Sequence, residues 1–141
     1  MQIGWTLDQC RKHWGRERSI EHGYLDESHT TTSTTYTFGS DSDSNIKKEV
    51  TFDQQGKVND VLYFTHFVDD QEGLLKIPAL LAREERVTWE IDPDQTHTSR
   101  HEYWIGKKDG VVVFHARYFT GHDEEGRWAE SLHVLPIESP L

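Results

Sequence analysis

The first fifteen residues show an apolar pattern with the period of a helix. The apolar positions are three and four residues apart, at Leu7, Cys10 and Trp14. Thr6 is a good N-cap, because its hydroxyl can accept a hydrogen bond from a free backbone N–H of the first turn. Gln9 completes a capping-box pattern and Gly15 is a natural C-terminal stop. The pattern predicts a short helix that packing, rather than propensity, must stabilise.

Four β-strands are predicted after this helix, because the residues there are rich in β-branched and aromatic types. The predicted strands are Arg18–Leu25, Thr30–Phe38, Lys47–Phe52 and Val58–Phe67. Val50 and Phe52 alternate with polar neighbours, which is typical of a half-buried strand. The last two strands flank Asp53–Gly56, whose glycine suits the positive φ of a hairpin turn.

A similar order of elements is predicted beyond Asp69–Gly73, the polar stretch that best divides the chain. A second helix is expected over Leu74–Glu85, with Pro78 in its first turn, where the missing N–H costs nothing. Further strands are predicted at Val87–Ile91, Ser99–Ile105, Val111–Phe119 and Arg127–Val134. The hairpin loops between them are Lys107–Gly110 and Gly121–Gly126.

The order of elements in residues 1–70 therefore recurs in residues 71–141, as an internal pseudo-repeat within one domain of residues 1–141. Two pairs of identical residues share the same spacing: Tyr36 with Tyr103, and His66 with His133. The predicted fold class is α+β, with two helix-plus-β-meander units that form a largely antiparallel sheet with helices on one face. The other face would be free for solvent or for a partner.

Three segments together resemble a known family. They are the opening Gly4–Gly15, the strand Tyr36–Phe38, and the hairpin Val50–Val61 with its Phe-Asp-x-x-Gly-x-Val pattern. They resemble the small outer-membrane lipoprotein (SmpA/OmlA) and β-lactamase-inhibitor-protein group, over residues 3–65. The resemblance implies a fold and a habit of binding proteins, and no particular target. The chain departs from the group in lacking a lipid-anchor cysteine and the paired cysteines of the secreted inhibitors.

The chain is acidic along its whole length. Its net charge is −10 at pH 7 over 141 residues, and the acidic excess divides equally between residues 1–70 and 71–141. Such a field repels nucleic acid and anionic membranes and favours basic protein surfaces. The charge therefore predicts a basic protein partner, with plain solubility as the alternative interpretation.

Cys10 is the single cysteine, so no intramolecular disulfide can form. We interpret it as a small apolar filler of the first helix, because nothing nearby in sequence pairs it with a base. No apolar run approaches the ~18–20 residues that a membrane span needs. The N-terminus shows no signal-peptide pattern either. These features predict a cytoplasmic protein.

Nine histidines invite a metal hypothesis, but the sequence shows neither an HExxH motif nor Cys/His zinc spacing. The candidate subset for a metal is His97, His101, His115 and His122. His115 and His133 could also meet across the last hairpin. Asp41–Asn45 begins like a calcium loop, but Ile46 and Phe52 stand where Gly and Glu are required. With no nucleophile motif and no phosphate loop, we predict no cofactor, no metal and no catalysis.

The candidate binding residues are aromatic side chains of the second half: Trp89, Tyr103, Trp104, Tyr118 and Trp128. Neighbours on a strand point to opposite faces. One member of the pair Tyr103–Trp104, and one of the pair Tyr118–Phe119, must therefore leave the helix-covered face. Exposed aromatic side chains are good anchors for a protein partner, although they could instead pack against each other across strands.

These observations predict a non-catalytic protein-binding module of inhibitor-like or immunity-like character. It would bind through an open sheet face with aromatic anchors and an acidic surround. Two alternatives remain open. One is a metal-dependent or small-ligand enzyme that uses a histidine cluster, and the other is a structural domain that forms a homodimer through the same sheet face.

Overall fold

The structure, a computed structural model, describes residues 3–24, 32–39, 46–65, 87–98 and 100–139. Within these ranges the chain forms one α-helix and eight β-strands. Their bounds are α1 Leu7–Trp14, β1 Ser19–Tyr24, β2 Thr32–Phe38, β3 Ile46–Phe52, β4 Val58–Thr65, β5 Thr88–Ile91, β6 His101–Lys108, β7 Val111–His122 and β8 Trp128–Pro136. All eight strands belong to one sheet with antiparallel neighbours.

The sheet consists of two four-stranded meanders that meet in its middle. The strand order is β1-β2-β3-β4-β8-β7-β6-β5, so β4 and β8 are the central pair. Val61 lies opposite Val134 and Tyr63 lies opposite Leu132 across this pair. All four of these residues are buried, so a pairing between the two halves of the chain forms the centre of the core.

The ends of α1 are those that the sequence predicts. The hydroxyl of Thr6 accepts a hydrogen bond from the backbone N–H of Gln9 at 3.2 Å. The Gln9 side chain accepts one in return from the Thr6 N–H at 2.8 Å, which completes the capping box. Gly15 ends the helix with φ +81°, a conformation that favours glycine. The first-helix prediction is therefore confirmed.

Backbone hydrogen bonds hold the start of α1 against the β3–β4 hairpin. The N–H of Gly4 donates to the carbonyl of Val58 at 2.7 Å, and the N–H of Val58 donates to the carbonyl of Trp5 at 2.8 Å. At the other end of the helix, the ring centroid of Trp14 lies 5.3 Å from that of Phe38. Both ends of this short helix are thus attached to the sheet.

Cross-strand register assigns each side chain to a face, because residues directly opposite one another point to the same side. One row across the sheet consists of Tyr36, Val50, Val61, Val134, Ala116 and Trp104. These residues pack in one cluster with Cys10, Leu7 and Trp14 of α1. We call this side the helix-side face and the opposite side the open face.

The β3–β4 and β7–β8 hairpins have the same turn. Asp53 accepts hydrogen bonds through Oδ1 from the backbone N–H groups two and four residues ahead, each at 2.9 Å. Asp123 does the same at 3.0 and 2.8 Å. Gly56 and Gly126 then have φ +76° and +78°. An aspartate followed three residues later by glycine explains why the sequence located both turns.

The α+β fold class predicted from the sequence is wrong. The described residues form a mainly β structure, in which a single eight-residue helix packs on an eight-stranded antiparallel sheet. The predicted internal repeat of helix-plus-meander units is not supported either, because only one helix is present in those ranges. The second predicted helix, Leu74–Glu85, lies outside the described residues, as do His66 and Asp69–Gly73.

The size of the helix is relevant to membranes as well. In the part of the chain that the structure describes, no helix has the length and apolar character to cross a bilayer.

Candidate protein-binding face

The open face is built from the alternate residues of every strand. Its central row consists of Thr37, Glu49, Leu62, His133, Arg117 and Tyr103, directly opposite one another across β2, β3, β4, β8, β7 and β6. Within the described ranges no helix lies on this face, since α1 packs on the other side. Most of these side chains are half-buried by their neighbours, and Arg117 is exposed.

Three carboxylates form an acidic group on the first half of the open face: Glu21, Glu49 and Asp60. Register places Glu21 opposite Thr35 on β2, and Glu49 opposite Leu62 on β4. Burial raises the pKa of Glu49, and the negative charges of Glu21 and Asp60 raise it further. These carboxylates therefore repel one another across the sheet, and a positive charge brought between them would relieve that repulsion.

His133 extends this group toward the second half of the face. Its Nε2 lies 2.7 Å from Oδ1 of Asp60, with both side chains about two-thirds buried or more (28% and 35% exposed). His133 also lies between Leu62 and Arg117 in the central row. The acidic group thus adjoins a half that contains histidine and arginine side chains, so the charge on this face is unevenly distributed.

Two phenylalanines add aromatic surface to the open face. Phe64 and Phe119 lie on either side of Ser131, each directly opposite it on β4 and β7. Phe119 is 39% exposed, and its ring centroid lies 4.8 Å from that of His101. Exposed aromatic surface beside charged groups is the composition of many protein-binding sites.

The five predicted binding residues do not form one surface. Trp89, Trp104 and Tyr118 pack against the core on the helix-side face. Trp128 is opposite His122 on that same face, and the two ring centroids are 5.1 Å apart. Only Tyr103 lies on the open face, where it is opposite Arg117.

Tyr118 has a structural environment rather than a binding one. Its hydroxyl donates a hydrogen bond to Oε2 of Glu130 at 2.5 Å, and Glu130 is 2% exposed. Burial, together with the hydrogen bond and charge of Glu130, raises the pKa of Tyr118 well above its ordinary value. The pair satisfies polar groups that the helix-side face has buried.

Phe64 and Phe119 are the residues that sequence reasoning missed. The signal for Phe119 was present, since Tyr118 and Phe119 were expected to point to opposite faces. The same alternation along β4 separates buried Tyr63 from Phe64. What the sequence lacked was the identity of the covered face, which depends on where α1 packs.

Two of the candidate metal histidines, His97 and His122, make structural hydrogen bonds. His97 donates from Nε2 to the carbonyl of Asp92 at 2.7 Å and accepts at Nδ1 from the N–H of Tyr103 at 3.2 Å. His122 accepts from the guanidinium of Arg100 at 3.2 Å. Across the described ranges, no group of three or more His, Cys, Asp or Glu side chains is placed to hold a metal ion.

Cys10 is fully buried between α1 and the sheet. Burial raises the pKa of its thiol to about 11. A thiol that stays protonated at neutral pH is a poor nucleophile, so its environment agrees with a packing role.

Comparison of the chain with protein-family models, with curated proteins and with solved structures found no significant match. The resemblance to the outer-membrane lipoprotein and β-lactamase-inhibitor-protein group therefore stays a prediction.

Proposed function

We propose that this domain is a non-catalytic protein-binding module that holds a basic protein surface against its open face. The observation that carries the proposal is the acidic group of Glu21, Glu49 and Asp60 on a sheet face that α1 leaves uncovered. An inhibitor-like or immunity-like role suits such a face, because its partner would be bound by complementarity rather than altered chemically.

Electrostatics supports a basic partner. Glu49 is half-buried and lies near two other carboxylates, so its ionised form is disfavoured in the free protein. An arginine or lysine placed above it would be attracted by all three charges. The net charge of −10 adds long-range attraction for the same partner.

Apolar contacts supply the second part of the proposed interface. Leu62 stands next to Glu49 in the central row, and Phe64 and Phe119 continue the face beyond it. Aromatic anchors supply binding energy, whereas the charged rim steers the encounter and selects the partner. Of the predicted anchors, Tyr103 belongs to this interface.

The cytoplasm is the compartment that this proposal assumes. Small secreted domains commonly depend on disulfides, whereas the single cysteine here is buried in the core.

The test is affinity capture from the source cell with two matched double variants. Glu21→Gln with Glu49→Gln removes two charges from the acidic group. Glu124→Gln with Glu125→Gln removes two exposed charges from the tip of the β7–β8 turn. The unchanged chain and the turn variant should recover one basic protein in equal molar amount, and the face variant should bind it about tenfold more weakly or worse.

The purified partner then allows the affinity to be measured by calorimetry at low and high salt. Equal binding by both double variants would contradict the proposal. So would a chain that recovers no partner and sediments as a stable dimer, which would instead favour a structural homodimer.

A further inference from the structure

A recess lies in the open face where β4, β8 and β7 run side by side. It is open to solvent and has a volume of about 360 Å³, and its lining includes Phe64, Phe119, Gly121, Ala129 and Ser131. Small-molecule pockets in proteins span roughly 300–1,000 Å³. The recess is therefore large enough for a molecule with two fused rings.

Small residues form the floor of the recess and aromatic rings form its walls. Gly121 lies opposite Ala129, and Phe64 and Phe119 lie on either side of Ser131. A Cβ on Gly121 would come within 2.9 Å of two ring carbons of Phe119, so this ring lies along the strand directly over the glycine. Glycine at this position is what allows the ring to border the recess without filling it.

The recess is apolar on its open-face side, apart from the Ser131 hydroxyl. Glu130 also borders it, but alternation along β8 directs that carboxylate to the helix-side face, where it accepts from Tyr118. A ligand in the recess would therefore contact rings and small side chains, without facing a buried carboxylate.

Positive and ionisable side chains lie next to the two rings that border the recess. Lys47 lies directly opposite Phe64, and Arg117 is two residues before Phe119 on the same face. The His101 ring contacts Phe119. Glu49 belongs to the next row, opposite Leu62. Asp123, in the adjoining β7–β8 turn, is engaged by Arg127 at 2.9 Å.

We propose that this recess is a binding site for a small aromatic anion, a free molecule with a two-ring body and one sulfonate or carboxylate. The rings would fit between Phe64 and Phe119, where aromatic stacking adds to apolar burial. The sulfonate or carboxylate of the ligand would face Lys47 and Arg117 at the rim. This site shares Phe64 and Phe119 with the protein interface proposed above, but ligand binding here requires neither that partner nor the three carboxylates.

The test uses two fluorescent probes that differ by one charge. Anilinonaphthalene sulfonate carries the proposed pair of fused rings and sulfonate together with one anilino ring, and phenylnaphthylamine has the same rings without the sulfonate. Both fluoresce more strongly in an apolar site, so each dissociation constant can be titrated with the full folded chain. The anionic probe should bind at one site and more tightly than the neutral probe.

Two variants test separately how the cavity and the positive charge contribute to probe binding. Ala129→Leu fills the floor and should weaken both probes about tenfold or more, whereas Thr37→Leu, elsewhere on the open face, should leave both unchanged. Lys47→Gln should weaken only the anionic probe, by about two- to fivefold. Lys57→Gln, an exposed lysine in the β3–β4 turn, is its matched control.

The unchanged protein supplies a measurement that does not depend on folding of any variant. Amide resonances of Gly121, Ala129 and Ser131 should shift when the anionic probe is added. Shifts confined to other parts of the sheet would overturn the proposal. So would equal affinity for the two probes, or a folded Ala129→Leu protein that binds the anion as tightly as the unchanged chain.

Discussion

At the scale of single residues, two adjacent residues of β7, Tyr118 and Phe119, have different roles because they lie on opposite faces of the sheet. Tyr118 points to the helix-side face and donates to buried Glu130, whereas Phe119 points to the open face and is 39% exposed. A buried carboxylate has a high desolvation cost. The Tyr118 hydroxyl that donates to it should therefore contribute more to stability than the small area of that hydroxyl suggests. Stability should therefore depend on Tyr118 through its oxygen as well as through its ring.

Removing that hydroxyl with Tyr118→Phe should destabilise the protein by ~1–3 kcal/mol, because Glu130 loses a donor inside the structure. Urea unfolding followed by circular dichroism measures the change. Tyr103→Phe is the matched control, since no described residue is hydrogen-bonded to that hydroxyl, and its unfolding midpoint should not move. Equal midpoints for the two variants would show that the hydrogen bond to Glu130 contributes little.

The sequence predicted that Tyr103 and Trp104 diverge, as Tyr118 and Phe119 do, because alternation is a local property of strands. It could not predict which member is covered. That outcome depends on the pairing of β7 with β8 and on the side where α1 packs, and both are long-range contacts. The prediction of an aromatic and acidic binding site therefore stays a prediction, and of its five named residues only Tyr103 lies on the open face.

At the scale of elements, local signals predicted the ends of α1 and the positions of the turns. The capping box and Gly15 are signals that depend only on residues a few positions apart. The same is true of the two Asp-x-x-Gly turns. Strand lengths were less predictable. β7 continues to His122, past the predicted end at Phe119, because Gly121 pairs with Ala129 on β8. A glycine weakens the local strand signal, and only pairing with the neighbouring strand overrides it.

The helix cap gives a prediction at this scale. Thr6→Ala removes the hydroxyl that accepts from the Gln9 N–H, and should lower the free energy of unfolding by about 1 kcal/mol. Thr6→Ser keeps the hydroxyl and should stay close to the original stability. Chemical unfolding of the three proteins side by side checks this. A serine variant as unstable as the alanine variant would indicate that the threonine methyl, rather than the cap, is responsible.

At the scale of the whole molecule, the two meanders share a core through the pairing of β4 with β8. Nothing local specifies that pairing, which explains why the sequence indicated an antiparallel sheet without its strand order. The same core encloses ionisable groups that should stay neutral, namely the Cys10 thiol and the Tyr63 phenol. The free energy of unfolding should consequently decrease as the pH rises into the alkaline range.

Burial raises the pKa of the Cys10 thiol from 9.0 to about 11. Between these values the unfolded chain releases the thiol proton while the folded chain retains it, so stability falls as the pH rises. The stability that the protonated thiol contributes is fully present below pH 9.0. About 2 kcal/mol of it should be lost as the pH passes through about 11. Tyr63, whose pKa burial also raises, adds to the loss at the upper end.

Cys10→Ala separates the thiol from the phenol. The variant should be less stable at neutral pH, because it leaves a small cavity under α1. Its stability should nevertheless decline less steeply between neutral pH and about 11, since the thiol no longer contributes to the decline. Urea midpoints measured for both proteins across this range give the two slopes. Parallel slopes would mean that the thiol ionises as readily in the folded chain as in the unfolded one.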